Sequence, residues 1–331
     1  MKVTVTGGAG YVGACVAEEL LEAGHDVVVL DVLLHGQEHV EAALAQQGAA
    51  VIRGDIRDGD ALRRALKDAD AVVHLAAIVG DPACARDPQL ADDVNVEGSA
   101  AVVAAARRAG AAQLIFASTC SNYGRMADPT VPVDETAPLA PVSLYAEQKV
   151  AIERRLLGTR HGDVRPTCLR FATVYGTAPR MRFDLTVNEF TRDLWSGRRL
   201  EVFGEQFWRP YVHVRDAARA VRAVLAAPAE KTDGEVFNVG HTDENYRKLD
   251  LVELITGTLG RGDVSFVRRD EDPRDYKVAF EKVHATLGFE PRLTVPAGIR
   301  EIVAALAEHR FGDPFDPAYS NLTSTQAPPR R

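Results

Sequence analysis

The first thirty-one residues combine an apolar segment, a glycine-rich turn, a helix-like segment and a second apolar segment that ends on an acid. The turn reads Thr6-Gly7-Gly8-Ala9-Gly10-Tyr11-Val12-Gly13, and Asp31 follows eighteen residues after its last glycine. In such a turn the first glycine permits a tight bend, the second lets the backbone approach a pyrophosphate, and the third lets helix and strand pack closely. The pattern therefore predicts a dinucleotide site formed by Gly7, Gly10, Tyr11, Val12, Gly13 and Asp31.

Asp31 indicates which dinucleotide this site would take. A carboxylate at this position accepts hydrogen bonds from the hydroxyls of the adenosine ribose and repels a 2′-phosphate. The next twenty residues contain no Arg or Lys that could neutralise such a phosphate. We therefore expect NAD rather than NADP.

The remaining strand-like and helix-like segments set the fold class. Strands are predicted at 2–6, 26–30, 50–53, 71–75, 113–117 and 167–171, and helices near 12–23, 38–47, 59–66, 90–109 and 144–157. This alternation predicts an α/β fold with a doubly wound parallel sheet of the Rossmann type, covered by helices on both faces.

Beyond residue 176 the alternation loosens, which predicts a discontinuous second lobe. Residues 1–176 would form the NAD-binding domain, and 211–240 would return to it as a strand (211–214), a helix (216–226) and a strand (235–239). Residues 177–210 and 241–310 would form a smaller mixed α/β lobe that binds substrate. Residues 311–331 are rich in Pro, Ser and Thr and predict a flexible tail.

Charge and composition exclude several classes of protein. The 331 residues carry a formal net charge of −8, which argues against nucleic acid or an anionic membrane as the main partner. No apolar stretch approaches membrane-spanning length, and the first strand begins at residue 2, which leaves no room for a signal peptide. The four cysteines lack metal-binding spacing. We expect a cytoplasmic protein with reduced thiols and no metal site.

Tyr145 and Lys149 are the candidate catalytic pair. Positions i and i+4 share one face of a helix, and a nearby cation favours the phenolate form of a tyrosine, which makes it a usable general acid/base. The same spacing is common on exposed helices, but this helix follows the fifth predicted strand, at the sheet edge where ligands bind. That strand ends in Ser118-Thr119-Cys120-Ser121, whose side chains would either bind a substrate hydroxyl or cap the next turn.

At this point the chain resembles the extended short-chain dehydrogenase/reductase family, in particular its nucleotide-sugar epimerases and dehydratases. The resemblance extends to about residue 307. Besides the glycine turn it is carried by Gly54-Asp55-Ile56, His74-Leu75-Ala76-Ala77, Asn95-x-x-Gly98, the segment 118–124, Tyr145-x-x-x-Lys149 and Arg209-x-Tyr211-Val212-His213-Val214-x-Asp216. It implies NAD as cofactor, a nucleoside-diphosphate sugar as substrate and a homodimer in which helices 90–109 and 144–157 pair.

The resemblance also implies roles for single residues. Tyr145 would exchange the proton of a sugar hydroxyl, Lys149 would bind the nicotinamide ribose, and Thr119 would complete the triad. The further cofactor contacts would be Asp55, Ile56, Leu75, Ala76, Ala77 and Asn95. The substrate contacts would be Thr119, Cys120, Ser121, Thr173 and Leu185, with Arg209, Arg269 and Asp272 as the clamp on the nucleotide. For Arg269 a solvated surface ion pair remains an equal alternative.

Departures from the family pattern narrow the activity. The Asp-Glu pair that follows the threonine in the family's 4,6-dehydratases is Cys120-Ser121 here, so elimination of water is disfavoured. Thr173 replaces the Asn usual before Val-Tyr-Gly. The sequence therefore predicts an NAD-dependent C4 epimerase that passes through a 4-keto sugar. The alternatives are a 4-keto-sugar reductase, then a dehydratase or decarboxylase, and, outside enzymes, an NAD-binding sensor or scaffold.

Overall fold

The structure is a computed structural model that describes residues 1–267 and 274–322. Its strands are β1 (Lys2–Thr6), β2 (Asp26–Asp31), β3 (Ala50–Arg53), β4 (Ala71–His74), β5 (Gln113–Thr119), β6 (Arg165–Phe171), β7 (Thr173–Tyr175), β8 (Leu200–Phe203), β9 (Trp208–His213), β10 (Glu235–Val239), β11 (Asn245–Arg247) and β12 (Val264–Val267). Its α-helices are α1 (Tyr11–Glu22), α2 (Glu38–Gln46), α3 (Gly59–Ala65), α4 (Asp81–Arg86), α5 (Pro88–Asp92), α6 (Ser99–Ala109), α7 (Leu144–Gly158), α8 (Thr186–Trp195), α9 (Val214–Ala226), α10 (Lys248–Leu259), α11 (Glu281–Leu287) and α12 (Val295–Ala307).

A seven-stranded sheet forms the larger lobe, with the strand order β10-β6-β5-β4-β1-β2-β3. Every neighbouring pair of strands in it is parallel. Its central strands are continuous apolar runs because helices cover both faces, as in β4, where all four residues are buried. The predicted Rossmann-type α/β fold is confirmed.

The order of the strands determines where a ligand can bind. From β1 the chain runs outward through β2 and β3, and then returns to β4 on the other side of β1. The crossovers on the two sides therefore diverge between β1 and β4, which leaves a crevice at the carboxyl ends of these strands. α1 begins at this crevice, directly after Gly10, and packs along its length against α9.

The smaller lobe contains a three-stranded sheet, β11-β9-β7, and a two-stranded sheet, β12-β8. One prediction is corrected here. The strand predicted at 211–214 was expected to return to the larger sheet, but it is part of β9, which pairs with β7 and β11. β10 already occupies the outer edge of β6, with Glu235 opposite Thr167, so no edge remains there for β9. Of the segment 211–240, α9 and β10 are the parts that join the larger lobe.

The helix predicted at 90–109 is interrupted. α5 leads into a π-helical stretch, Asp93–Gly98, which leads into α6. π-Helical stretches widen a helix by one residue per turn and occur frequently at functional sites. Asn95 lies in this stretch, and its buried side chain explains the interruption, as described below.

The segment 311–322 differs from the predicted flexible tail. The rings of Phe311 and Tyr319 pack edge-on against Phe183, with ring centroids 5.2 and 5.7 Å away, and the Phe183 amide donates to the Tyr319 carbonyl at 2.8 Å. Contacts among these three aromatic side chains hold the segment against the smaller lobe. Its mainly polar composition gave no indication of them. The rest of the predicted tail, 323–331, lies outside the described residues.

Across the described parts of the chain, no helix has the length and apolar character that crossing a bilayer requires. The same residues contain no group of three or more His, Cys, Asp or Glu side chains arranged to hold a metal ion. Cys15, Cys84, Cys120 and Cys168 are all free and buried.

Candidate active site

A single cleft at the carboxyl ends of β1 and β4 brings together most of the residues predicted to bind the cofactor. Its lining includes Gly7, Gly10, Tyr11, Val12, Gly13, Asp31, Asp55, Ile56, Leu75, Ala76 and Ala77. These residues come from the loops after β1, β2, β3 and β4. Because the strands are parallel, those loops converge at one edge of the sheet.

The backbone of the glycine turn is shaped for close approach. Gly7 has a φ of +71°, which favours glycine, and a Cβ there would lie 2.7 Å from the Ala76 nitrogen. A Cβ on Gly13 would lie 2.0 Å from the Gly7 carbonyl oxygen, whereas one on Gly10 would meet nothing closer than 3.1 Å. Gly7 and Gly13 are therefore fixed by packing, whereas a Cβ on Gly10, at the start of α1, would make one tight contact with the Gly7 carbonyl oxygen. The unpaired amides of this helix start suit a pyrophosphate, so the cleft fits a dinucleotide.

Asp31 ends β2 inside the cleft and is only 8% exposed. Its Oδ2 accepts from the Ala9 amide at 2.9 Å, and its Oδ1 accepts from the Leu33 amide at 2.8 Å. Burial raises the pKa of Asp31, and these backbone hydrogen bonds oppose the rise. A carboxylate offers about four acceptor sites, so Asp31 can also accept from a ribose hydroxyl.

Asn95, for which a cofactor contact was predicted, is not among the residues that line the cleft. Its Oδ1 accepts from the Ile78 amide at 2.8 Å, and its Nδ2 donates to the Ile78 carbonyl at 3.0 Å and to Gln148 Oε1 at 2.8 Å. Ile78 is part of the cleft wall, and Gln148 lies in α7. Asn95 therefore ties the wall of the cleft to the catalytic helix instead of touching a ligand.

α7 places Tyr145 and Lys149 on one face, as predicted. The helix begins after Ser143, whose hydroxyl accepts from the Ala146 amide at 3.4 Å and caps the first turn. Lys149 Nζ donates to the Ala117 carbonyl at 2.7 Å and lies 5.8 Å from the centre of the Tyr145 ring. The lysine is thus held by the end of β5, beside the phenol.

The charges at this pair differ from the simple expectation. Burial lowers the pKa of Lys149 to about 8, with nearby Cys84 and Glu153 opposing. Burial also raises the pKa of Tyr145, and Cys84 and Asp81 add to the rise. The expected lowering of the phenol pKa by Lys149 is absent here, and removal of water is the largest cause of the rise.

The end of β5 presents Thr119 and hides Cys120. Thr119 Oγ1 accepts from the Ser121 amide at 3.1 Å, which leaves its own proton for donation. Cys120 is buried, its thiol donates to the Arg170 carbonyl at 3.2 Å, and burial raises its pKa well above the usual value. The Cys120 side chain therefore does not reach a substrate, contrary to the prediction. Ser121 is half-buried and hydrogen-bonds the phenol of Tyr276.

A buried polar network beneath the catalytic helix was not predicted. Arg170 Nη2 lies 2.8 Å from Glu153 Oε2, and the two side chains are 6% and 2% exposed. Asn122 Nδ2 donates to Glu153 Oε1 at 3.0 Å, and the Ser118 hydroxyl donates to the same oxygen. Because Glu153 follows Lys149 by four residues, the network fixes the face of α7 that carries Lys149. The i+4 spacing of Lys149 and Glu153 was the only feature of the sequence that pointed to this network.

Three of the predicted substrate residues lie in the smaller lobe. Thr173 is in β7 opposite Tyr211 of β9, Leu185 directly precedes α8, and Arg209 is in β9. Arg209 is buried, with its guanidinium 5.4 Å from the centre of the Tyr276 ring. Arg269 and Asp272 lie outside the described residues.

Comparison with known proteins identifies the family. The profile of the "NAD dependent epimerase/dehydratase family" matches residues 3–240. The UDP-glucose 4-epimerase of Streptomyces lividans is 31% identical over 310 residues, covering 88% of this chain and 91% of that protein. The chain belongs to the NAD-dependent epimerase/dehydratase family.

Solved structures of this family agree with the fold throughout. The UDP-glucose 4-epimerase of Thermotoga maritima with UDP-glucose has a TM-score of 0.83 at 27% identity, covering 94% of this chain and 100% of that chain. The UDP-glucose 4-epimerase of Thermus thermophilus in complex with NAD has a TM-score of 0.80 at 28% identity, covering 93% and 99%. These similarities confirm the predicted family, the NAD cofactor and an enzyme of the nucleotide-sugar epimerase type.

Other members of the family differ in chemistry. DesIV, a dTDP-glucose 4,6-dehydratase from Streptomyces venezuelae with NAD and TYD bound, has a TM-score of 0.84 at 27% identity, covering 96% of this chain and 100% of that chain. The fold is therefore shared by epimerases and dehydratases.

The cleft also contains residues that the sequence did not indicate. They are Leu30, Val32, Leu34, His35, Gln37, Gly54, Ile78, Val79, Val94, Arg180, Arg182 and Asn321. Several adjoin predicted positions, but Arg180, Arg182 and Asn321 come from the smaller lobe and the end of the described chain. No local pattern links these segments to a cofactor site.

Proposed function

We propose that the protein interconverts the two C4 epimers of a nucleoside-diphosphate hexose, with UDP-glucose and UDP-galactose as the first candidates. The observation that carries this proposal is the arrangement at the end of β5. Tyr145, Lys149 and Thr119 provide groups for oxidation and reduction of a carbinol, while Cys120 provides no acid or base for elimination. The UDP-glucose 4-epimerases among the relatives support the choice of substrate.

NAD, when bound, supplies a reversible hydride acceptor with a positively charged nicotinamide ring. With the positive charges of Lys149 and of the bound cofactor favouring its phenolate form, Tyr145 would take the proton of the C4 hydroxyl as C4 is oxidised, which would give a 4-keto sugar. Thr119 donates a hydrogen bond to the sugar oxygen, and Lys149 provides a fixed positive charge beside the phenol. Reduction of the 4-keto sugar on its other face, with Tyr145 returning the proton, would complete the inversion, and no reductant would be consumed.

Dehydration is disfavoured by the chemistry next to Thr119. Elimination of water requires an acid and a base beside the oxidised carbon. The Cys120 thiol is buried and protonated, because burial raises its pKa well above the usual value. Ser121 has a hydroxyl that titrates far above neutral pH. Reduction is therefore the favoured fate of the oxidised sugar.

The remaining parts of the proposal concern binding, assembly and location. We assign Thr173, Leu185 and Arg209, together with Arg269 and Asp272, to the nucleotide and its diphosphate, since guanidinium groups suit phosphate oxygens. We expect a homodimer formed through α6 and α7, whose surface carries an apolar groove that includes Val96, Ala100, Val103 and Ala151. We expect the enzyme to act in the cytoplasm.

The test is NMR of the products after incubation with UDP-glucose or UDP-galactose without added cofactor. The expected result is conversion of either sugar to the same equilibrium mixture. Loss of water, loss of CO₂, or strict dependence on added NADH or NADPH would replace the proposal with a dehydratase, a decarboxylase or a reductase. Tyr145→Phe is the matched control: it should still bind NAD but convert neither sugar. Unchanged conversion by this variant would refute the assigned chemistry.

A further inference from the structure

Three side chains with unpaired buried atoms converge on the cofactor cleft. Among the described residues, no hydrogen-bond partner exists for Nδ1 of His35, for Nε and Nη2 of Arg180, or for Oδ1 of Asn321. All three residues line the same cleft as Asp31. Buried polar atoms without partners are rare in folded proteins, and such a cluster indicates groups that await a ligand.

Arg180 is the most unusual of the three. It is only 4% exposed and, within the described parts of the chain, forms no ion pair, whereas its neighbour Arg182 is paired with Asp184 at 2.8 Å. Burial lowers the pKa of Arg180 to about 10. The carboxylate of Asp31 is near enough to act on this charge but not to bond it. Arg180 and Asp31 therefore line the same cleft with opposite charges.

The segments that carry these groups are held in place from both sides. His39 Nε2 contacts the Pro179 carbonyl at 3.3 Å, which ties α2 to the loop before Arg180. The Asn321 amide donates to Asp184 Oδ2 at 2.9 Å, which ties the end of the described chain to the same loop. The unpaired atoms thus belong to a built wall of the cleft.

The chemistry between Asp31 and Arg180 selects the group that fits. A carboxylate only accepts hydrogen bonds and a guanidinium only donates them, while each hydroxyl of a ribose does both. A ribose diol can therefore donate to Asp31 and accept from Arg180 at the same time. A 2′-phosphate would gain the Arg180 contact but would meet the negative charge of Asp31.

We propose that Arg180 is a specificity-determining residue that clamps the adenosine ribose of NAD against Asp31, with His35 and Asn321 completing the contact. The cleft already contains Arg180, a cation that could bind the 2′-phosphate of NADP. It follows that the negative charge of Asp31 alone excludes a 2′-phosphorylated cofactor. The inference concerns cofactor binding and does not depend on which sugar the enzyme converts.

The first experiment compares Arg180→Met with Arg64→Met, which removes an exposed arginine of α3. Titration of the cofactor-free proteins with NADH, followed by fluorescence, should show a Kd about tenfold to a hundredfold higher for Arg180→Met and unchanged for Arg64→Met. Thermal unfolding without cofactor distinguishes a role of Arg180 in cofactor binding from a structural role. If the role is in binding, loss of this unpartnered buried charge should not lower Tm. A lowered Tm without cofactor, or a Kd within twofold of wild type, would overturn the inference.

The second experiment tests the ribose position. Asp31→Asn keeps an oxygen for the glycine turn and removes the negative charge, so NADPH should bind about tenfold to a hundredfold more tightly relative to NADH than in wild type. Adding Arg180→Met to this variant should abolish the gain. If the gain persists without Arg180, the guanidinium contacts another part of the cofactor and the proposed clamp is wrong.

Discussion

The buried ion pair of Glu153 and Arg170 makes a sharp prediction for stability. Glu153→Ala would leave the Arg170 guanidinium buried without its counter-charge and would deprive the donors of Ser118 and Asn122 of their acceptor. Removing one partner of a buried pair costs about 3–5 kcal/mol. We therefore expect Glu153→Ala to lower the free energy of unfolding by about 4 kcal/mol.

The corresponding change in melting temperature follows from chain length. At about 2.1 cal/mol/K per residue, a chain of 331 residues unfolds with an entropy near 0.7 kcal/mol/K. A loss of about 4 kcal/mol then lowers Tm by about 6 °C. Differential scanning calorimetry of the cofactor-free protein measures it directly.

A double-mutant cycle separates the pair from its surroundings. The double variant Glu153→Leu with Arg170→Met removes both charges, so no buried charge is left unpaired. It should therefore lose less free energy of unfolding than Glu153→Ala. The exposed Arg154, one residue along the same helix, provides the control, and Arg154→Ala should stay within about 0.5 kcal/mol of wild type. A loss below about 1 kcal/mol for Glu153→Ala would show that the network does not support the fold as reasoned.

Three further predictions concern the catalytic lysine, the glycine turn and the helical surface. The pKa of Lys149 falls from 10.5 to about 8 on folding, so between these pH values only the unfolded chain holds the proton. The free energy of unfolding of the wild type, relative to that of Lys149→Met, should therefore rise with pH in this range by up to about 1.4 kcal/mol per pH unit. A difference between the two proteins that is the same in urea unfolding at pH 8 and at pH 10 would contradict this prediction. Gly13→Ala should destabilise the cofactor-free fold by more than roughly 1 kcal/mol, whereas Gly10→Ala, whose Cβ would meet only the Gly7 carbonyl oxygen at 3.1 Å, should lower Tm less and should lose NAD affinity; equal melting curves would refute the distinction. Val103→Glu would bury a charge in the α6–α7 groove and should give a monomer by light scattering. The control Val131→Glu changes an exposed residue and should remain dimeric. If both variants are dimers, the interface lies elsewhere.

The sequence predicted the placement of residues correctly where the pattern is local. The turn from Gly7 to Gly13, the acid at Asp31 and the helical pair of Tyr145 and Lys149 each occupy a short stretch whose chemistry is readable from spacing. The parallel sheet followed because helix-like and strand-like segments alternate regularly through residue 171.

The errors arose where long-range contacts decide. Asn95 and Cys120 belong to matching motifs, yet their side chains bond to backbone groups of distant segments, and no spacing reveals this. The sequence contains no cation close to Asp31, but the fold brings Arg180 to the same cleft across about 150 residues. Burial, which governs the pKa values of Tyr145 and Lys149, is likewise a property of the whole structure.

The position of β10 at the edge of the large sheet has a consequence for how the chain folds during synthesis. Strands β1 to β6 leave the ribosome first, but the outer edge of β6 stays unpaired until Glu235–Val239 arrive, and α1 lacks its cover until α9 follows β9. An open strand edge is a template for aggregation. A fragment ending at residue 176 would therefore be an unfinished sheet, and the cofactor lobe reaches its native form only after the segment 177–210 has been made.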